Sequence, residues 1–362
     1  MEHDQIAARL RLALDRETAR HELSPGAWPQ IERRLSRRVW RRAGIAAACV
    51  AVIAAGTAVV PYLWRTVAGP AVSQPQPPLI VAGSTHLSRG ITKLAAGYGG
   101  VWVIGPGVLY RVDPATARVA ATVPVPGTGE KLSDIATGAG AVWVTGQRDG
   151  RFGVYRIDPR DNRVTSFIRL QPTPTGITVA YGRVWVTEPK PGPGVVVRID
   201  PRTNQVSGPA IRVGADPGRI VAGAGALWLA SGSDTRWLSR INPATGVVTR
   251  ILVNMENVDA AGAGSLWVMP VPGGIQRVDP VTGRVTATIR LPHAARVTFW
   301  AGAAWASAQP PGSIVRIDPA SNRIAGPAVP AGATPIYIAA GPGGLWVANF
   351  DTGDLLHLVP AV

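Results

Sequence analysis

The chain has 362 residues, enough for two domains, and its 37 basic and 22 acidic residues give a formal net charge of +15. Most of the basic residues are arginines, and over residues 79–362 basic and acidic residues are interspersed rather than clustered, so we predict no nucleic-acid partner. The single cysteine, Cys49, excludes an intramolecular disulfide and a zinc cluster.

Residues 1–42 contain two amphipathic stretches. Apolar residues recur every four positions up to Leu14, and the pattern resumes at Ile31 and Leu35 after a Ser-Pro-Gly break. We interpret this segment as a short cytoplasmic juxtamembrane helix pair, and a docking site for a cytoplasmic partner is the alternative. It is too short for an enzymatic domain.

Residues 43–64 contain no charged residue. A helix of that length spans roughly 30 Å of hydrocarbon, which predicts one transmembrane helix. A cleaved signal peptide is the alternative, but 42 residues would precede its apolar region, far more than is usual. Six arginines precede the segment and Arg65 follows it, so we expect a cytoplasmic N-terminus and an extracytoplasmic remainder at the cell membrane. Residues 65–78 form a Pro-rich linker.

Residues 79–362 contain a repeat marked by tryptophan. Seven tryptophans follow one another at intervals of 38 to 43 residues, each with a glycine three positions before it. They are Trp102, Trp143, Trp185, Trp228, Trp267, Trp305 and Trp346. A strand-rich repeat near 40 residues is typical of a β-propeller, so we predict an all-β seven-bladed propeller of four-stranded blades.

The repeat at residues 177–213 shows the predicted strands. Apolar runs at 177–180, 184–186, 195–199 and 206–213 predict four strands, apolar on both faces because neighbouring blades cover them. An Asp-Pro or Asn-Pro turn separates the third and fourth strands in six repeats, with the Asp or Asn side chain as a turn cap. Four residues later a residue that tolerates the left-handed conformation predicts a bulged hairpin, with Ala117 as the exception.

The last repeat has no fourth strand, because the sequence ends soon after an apolar run at 355–358. The apolar run at 79–83 precedes the first full repeat. We predict that this N-terminal strand pairs with 355–358 as the outermost strand of the last blade and closes the ring.

The repeated motif Gly-x-x-Trp-Val, then Arg-Ile-Asp-Pro-x-Thr, resembles the bacterial YVTN and virginiamycin B lyase-like propellers over residues 79–362. The lyase subgroup opens a cyclic depsipeptide by elimination with a histidine, nearby glutamates and Mg²⁺. The propeller of this chain departs from that set because no Glu-x-His pair occurs in it. Its only histidines and glutamates are His86, His293, His357, Glu130, Glu188 and Glu256.

Residues that recur in every repeat are predicted to be structural. The tryptophans should pack between blades. Six arginines, two positions before each turn Asp or Asn, should bond between strands or stack on an aromatic ring, and His357 takes the seventh such position. These arginines are Arg111, Arg156, Arg198, Arg240, Arg277 and Arg316. We expect His293 to be exposed, and the spacing of the turn aspartates predicts no calcium loop.

Function is expected where the repeats differ. Both kinds of tight turn should lie on one rim, and the opposite rim should carry variable loops at 147–151, 188–192, 231–237 and 349–351. Nine positions before each tryptophan, at the start of the innermost strand, stand Lys93, Asp134, Gly176, Arg219, Val258, Arg296 and Tyr337. We predict that Lys93, Asp134, Arg219, Arg296 and Tyr337 ring the channel mouth and bind an anionic small molecule, glycan or protein. A simple solvated rim is the alternative.

Two functional hypotheses follow. The favoured one is a non-catalytic, membrane-anchored, extracytoplasmic binding or sensing propeller with no cofactor or metal, since no phosphate loop or nucleophile elbow occurs. The second is a lyase-like, metal-assisted enzyme whose acid–base groups come from His86, Glu130 or Asp134. A histidine and two carboxylates within bonding reach would favour the enzyme, and a basic mouth would favour the binding module.

Overall fold

The computed structural model describes residues 77–127, 132–171, 173–231, 234–270 and 273–361, with the backbone alone at 234–236. The predicted cytoplasmic segment at 1–42, the transmembrane helix at 43–64 and nearly all of the linker at 65–78 lie outside these residues. Within the described ranges no helix has the length and apolar character needed to cross a membrane.

The described residues form 30 strands in seven antiparallel sheets. The first part of the chain gives β1 (Leu79–His86), β2 (Leu94–Gly97), β3 (Gly100–Gly105), β4 (Val108–Asp113), β5 (Arg118–Pro124), β6 (Leu132–Gly138), β7 (Ala141–Arg148), β8 (Arg151–Asp158), β9 (Arg163–Arg169), β10 (Gly176–Ala180), β11 (Arg183–Glu188), β12 (Val195–Asp200), β13 (Gln205–Val206) and β14 (Ile211–Arg212). The second part gives β15 (Pro217–Gly223), β16 (Ala226–Ser231), β17 (Asp234–Ile241), β18 (Val248–Leu252), β19 (Asn257–Gly262), β20 (Ser265–Met269), β21 (Ile275–Val278), β22 (Val285–Ile289), β23 (Ala294–Trp300), β24 (Ala303–Ala308), β25 (Ser313–Asp318), β26 (Arg323–Ile324), β27 (Val329–Pro330), β28 (Pro335–Gly341), β29 (Gly344–Asn349) and β30 (Asp354–Pro360).

Each sheet is one blade, and the first strands of successive blades contact one another in a closed ring. Blade 1 is β2–β5, blade 2 is β6–β9, blade 3 is β10–β14, blade 4 is β15–β18, blade 5 is β19–β22, blade 6 is β23–β27, and blade 7 is β28–β30 with β1. The predicted seven-bladed all-β propeller of four-stranded blades is confirmed. The first strand of each blade lines the central channel, and the fourth faces outward.

The predicted closure of the ring is confirmed, and the closing strands pair over more residues than the sequence indicated. Strand β1 pairs antiparallel with β30 from Leu79 opposite Pro360 to His86 opposite Asp354, with a bulge between Val81 and Gly83. The N-terminal strand is therefore the outermost strand of blade 7, and it covers an edge that would otherwise be open.

The core lies between the blades. Every residue of the second strands β3, β16, β24 and β29 is buried, as the apolar runs predicted. The prediction that all strands are apolar on both faces was wrong for the fourth strands. Exposed and less exposed residues alternate in β5 and β9, because an outermost strand meets water along one side.

The predicted continuous fourth strand at 206–213 was also wrong, since blade 3 carries two short strands there, β13 and β14. Gly208 has φ of 71° and precedes a proline that has no N–H to donate to the third strand. Blade 6 breaks in the same way at Gly326, with φ of 78° before Pro327, between β26 and β27. Gly-Pro marks both breaks in the sequence.

The tight turns lie together on one rim, which we call the turn rim. In six blades the first two strands are joined by a residue and a glycine that both have positive φ, as in Tyr98-Gly99, which is the pattern of a type I′ hairpin. The turn caps are confirmed, since Asp113 Oδ1 accepts bonds from the N–H groups of Ala115 and Thr116 at 2.8 and 3.0 Å. Ala117 also has positive φ, 54°, although alanine gives no signal for it.

The opposite rim, which we call the loop rim, carries the connections between the second and third strands and between blades. The predicted loop at 147–151 was wrong, because β7 and β8 continue to Arg148 and Arg151. Asp149 and Gly150, with φ of 49° and 76°, form a two-residue turn there. Glu188 is likewise the last residue of β11 and is only 2% exposed.

Candidate functional site

The repeated tryptophans and arginines form the scaffold, as predicted. Six tryptophan indoles donate Nε1–H to the carbonyl five residues earlier, for example Trp102 to Gly97 at 3.1 Å. Five arginines lie over the tryptophan of their own blade, with guanidinium carbons 5.2–6.0 Å from the ring centroids. They are Arg111, Arg156, Arg198, Arg240 and Arg277. These contacts are cation–π interactions.

The same arginines join blades wherever the next Asp-Pro turn offers an asparagine. Arg111 Nη1 donates to Asn162 Oδ1 at 2.9 Å, and Arg156 Nη1 donates to Asn204 Oδ1 at 3.0 Å. Arg277 donates to Asn322 at 2.6 Å and to the Pro319 carbonyl. Asparagine at these turns thus both adopts positive φ and accepts a bond from the preceding blade, a role that the sequence reading missed.

His357 replaces the arginine in blade 7. Its ring stacks on Trp346 with centroids 4.0 Å apart and planes 9° from parallel. The side chain is buried, and burial lowers the pKa of His357, which the Pro342 carbonyl partly opposes. The predicted structural role for His357 is therefore confirmed.

The innermost strands bring the predicted mouth residues to one level of the channel. Asp134 pairs with Thr145, Arg296 with Ser307 and Tyr337 with Ala348, each two positions after the repeat tryptophan. The carbonyl of Lys93 accepts a bond from the N–H of Ile104, which holds it at the same register position. All these positions lie at the loop-rim end of the first strands.

Side-chain contacts join four of the mouth residues, Lys93, Asp134, Arg296 and Tyr337. Lys93 Nζ lies 3.8 Å from Asp134 Oδ1 and 5.2 Å from the centroid of the Tyr337 ring. The guanidinium carbon of Arg296 lies 5.8 Å from the same ring. Tyr337 of blade 7 therefore has a cation from each neighbouring blade beside it.

The pKa of Lys93 depends on its burial and on the charges near it. Burial lowers the pKa of Lys93, Asp134 raises it, Arg219 and Arg296 lower it, and Asp259 raises it to a lesser degree. Arg219 thus belongs to the same group, although it makes no ion pair with a described residue. Only 18% of the Lys93 side chain is exposed, so this position of the ring is mostly buried.

Asp134 is bonded on both carboxylate oxygens. Oδ1 accepts from the N–H of Ile135 at 3.0 Å, and Oδ2 accepts from the N–H of Ile177 in blade 3 at 3.2 Å. The side chain therefore joins two blades and at the same time faces Lys93. Asp134 as a whole residue is 7% exposed.

Asp259 is a member of this group that the sequence reading missed. In blade 5 the ladder is bulged between Val258 and Ala260, so Val258 enters the core and Asp259 is the extra residue. In blade 5 the bulge lies nearer the repeat tryptophan than it does in blades 2, 6 and 7. The position nine residues before the tryptophan is therefore Val258, and not Asp259. Asp259 Oδ2 accepts a bond from the N–H of Val297 in blade 6 at 2.9 Å.

The channel cluster is therefore Lys93, Asp134, Arg219, Asp259, Arg296 and Tyr337. Gly176 belongs to the ring but offers no side chain, and a Cβ there would lie 2.7 Å from the Gly218 carbonyl oxygen. The glycine is explained by the close approach of blades 3 and 4.

The candidate lyase residues do not come together. His86 is on the outermost strand of blade 7, where Nδ1 lies 3.0 Å from Asp354 Oδ1 and both side chains are well exposed, whereas Asp134 is on an innermost strand. Glu130 lies outside the described residues. His293 is exposed as predicted, and Glu188 pairs with Lys190 at 3.8 Å. Among the described residues no group of three His, Cys, Asp or Glu could hold a metal ion.

Comparison with known proteins agrees on the fold. The structure of U3-55K and the crystal structure of the RRP9 WD40 repeats both match with a TM-score of 0.64 at 8% sequence identity. The matches cover 78% of this chain and 98% or 99% of those chains. No protein-family model matches the sequence, and no curated protein is significantly similar to it. At this identity the likeness supports the propeller fold alone.

Proposed function

We propose that this chain is a membrane-anchored, extracytoplasmic binding propeller that recognises an anionic group at the loop-rim end of its channel. One observation carries the proposal: Lys93, Arg219 and Arg296 share the charged environment of one half-buried cluster at positions where the repeat breaks. The cluster holds three cationic and two anionic side chains, an excess of one positive charge.

Partial burial makes this excess charge effective. Coulomb interactions strengthen as water is excluded, so an anion in the channel would interact more strongly than one at an exposed rim. Arg219 and Arg296 form no ion pair with any described carboxylate, which leaves two guanidinium groups able to bind carboxylate or phosphate oxygens. The ligand is an anionic small molecule or glycan, or an acidic group presented by a protein, since propellers commonly bind proteins.

Triple substitution of Lys93, Arg219 and Arg296 by glutamine tests the site. Binding of citrate, phosphate and sulfate to the purified full-length chain is measured by titration calorimetry at two ionic strengths. At least one of these anions should bind the natural chain and lose roughly 10-fold or more in affinity in the variant, since a hydrogen bond to a charged group contributes about 1.5–3 kcal/mol. Glutamine at Arg169, Arg212 and Arg250, exposed arginines on outermost strands, removes the same charge away from the channel.

Equal loss of affinity in the two triple variants would show that the anion responds to net charge rather than to the channel. Unfolding of the channel variant would make its three cations structural instead. Binding of none of the three anions to the natural chain at millimolar concentration would refute the proposal.

The membrane anchor rests on residues 43–64 and on the arginines that precede them. Protease added to intact cells should remove the propeller and spare an N-terminal tag. Recovery of a secreted form that begins near residue 69 would instead establish a cleaved signal peptide. Membership of the YVTN and virginiamycin B lyase-like group stays a proposal from the repeated motif, and no described contact favours the lyase activity.

A further inference from the structure

The channel cluster has two unlike halves. In blades 1 to 3 the charged groups are bonded: Lys93 faces Asp134, and Thr145 Oγ1 accepts from the Asp134 N–H at 2.9 Å, although the buried hydroxyl of Thr92 has no partner among the described residues. Thr187 Oγ1 donates to the carbonyl of Gly218 at 2.8 Å. Both charged side chains of this closed half therefore have a partner.

The other half, in blades 4 to 6, leaves polar atoms without partners. Asp259 Oδ1 and Arg296 Nε are buried and have no hydrogen-bond partner among the described residues. The hydroxyl of Ser307, which pairs with Arg296 in the β-ladder, is also buried without a hydrogen-bond partner among the described residues. Asp259 stands on the blade between those of Arg219 and Arg296, yet it forms an ion pair with neither.

A buried polar atom without a partner costs about 1–3 kcal/mol, so a group of them in one channel calls for an explanation. The backbone of blade 5 places the carboxylate there, because a bulge extrudes Asp259 while Val258 fills the core. The Val297 N–H occupies one oxygen of Asp259 and fixes the side chain. Bulges that re-aim a side chain in this way are common beside binding sites.

We propose that the open half binds a compact zwitterionic group, in which Arg219 and Arg296 hold an oxyanion and Asp259 Oδ1 accepts a hydrogen bond from an adjacent ammonium. The inference rests on the anion-binding function proposed above and narrows the ligand class. A free amino acid and a phosphoethanolamine headgroup share this chemistry.

Titration calorimetry on the full-length chain tests the class with five probes. Glycine and O-phosphoethanolamine carry both groups, acetate and phosphate carry only the anion, and glycine betaine has a quaternary ammonium that cannot donate. We expect glycine to bind on the order of 10-fold more tightly than acetate or betaine, with dissociation constants in about the millimolar range because so few atoms are buried. Tighter binding of phosphoethanolamine than of glycine would identify a phosphate-containing headgroup as the source, and the reverse would identify a free amino acid.

The variant Asp259→Asn separates this inference from the proposed function. The new amide oxygen can still accept the Val297 N–H, so the fold should be kept. Glycine should lose its advantage over acetate, and acetate should bind more tightly than before because one negative charge has left the cluster. Asp149→Asn removes the same charge from an exposed position on the same rim and should keep the advantage. If acetate and glycine bind equally to the natural chain, the zwitterion is wrong and the anion site stands. If neither anions nor zwitterions bind, both proposals fail.

Discussion

Arg277 on the turn rim and Arg296 at the channel mouth are the same type of residue, but their contacts differ. On the turn rim Arg277 lies over Trp267, donates to Asn322 of the next blade and contacts Ser265, and similar contacts recur from blade to blade. At the channel mouth Arg296 lies over Tyr337, and among the described residues it donates only to its neighbouring carbonyl. Charges that recur from blade to blade indicate scaffold, and charges that break the repeat indicate a site. Substitutions on the turn rim should therefore lower stability, and substitutions in the channel should lower binding.

Removal of β1 should have the largest effect on stability. Deletion of residues 79–86 exposes β30 along its length and removes the closing strand, so we expect loss of cooperative unfolding in circular dichroism melts. Deletion of residues 65–76, which keeps β1, is the control and should melt like the full chain. Cooperative melting after loss of β1 would contradict the closure.

Gly176→Ala should lower the free energy of unfolding by about 1–3 kcal/mol, because the added Cβ meets the Gly218 carbonyl oxygen at 2.7 Å. Gly218→Ala is the matched control, since no atom lies within 4 Å of a Cβ there. Chemical denaturation measures both. Similar stability of the two variants would mean that blades 3 and 4 can separate without cost, and the packing explanation for Gly176 would be wrong.

Arg277→Gln should lower the free energy of unfolding by about 1–2 kcal/mol, since it removes a cation–π contact and bonds to the next blade. Arg240 lies over Trp228 but precedes a blade whose turn carries Gly283 instead of asparagine, and no hydrogen bond of its guanidinium is seen among the described residues. Arg240→Gln should therefore cost less. Urea midpoints compare the two, and equal shifts would show that bonds between blades contribute little. Neither variant should change binding at the channel.

The smallest effect concerns His357. Because burial lowers its pKa in the folded state, His357 supports stability above the usual pKa of 6.5, and this support is lost as the pH falls through the lower folded pKa. His357→Gln should therefore flatten the dependence of the urea midpoint on pH between 8 and 5. His293→Asn, at an exposed position with positive φ, should leave the slope unchanged. A steeper slope in His357→Gln would contradict the burial argument.

The sequence predicted the architecture because period, turn residues and the missing last strand are all local or countable features. Four of the five residues that it selected, Lys93, Asp134, Arg296 and Tyr337, form a chain of contacts in the channel, since equivalent positions in a closed ring share one level. It missed Asp259 because a bulge shifts the register by a residue without any change in the spacing of the tryptophans. It did not predict that Gly176 is required for packing, because the close approach of the next blade cannot be seen within one repeat.

Burial of the channel cations was equally invisible, since it depends on seven strands converging. The sequence could not show that Asp134 and Asp259 each accept a bond from a backbone N–H of the following blade, because it does not show which residues of two blades lie opposite one another. Which charges remain free is set by geometry between repeats.

The pairing of β1 with β30 also has a consequence for synthesis. Leu79 is translated well before its partner Pro360, so β1 stays unpaired while the intervening blades are translated. At about 5–20 residues per second that interval lasts roughly tens of seconds. Throughout it the nascent chain presents a hydrogen-bonding edge with apolar side chains at Ile80 and Val81, and any factor that shields this edge would govern the yield of closed rings.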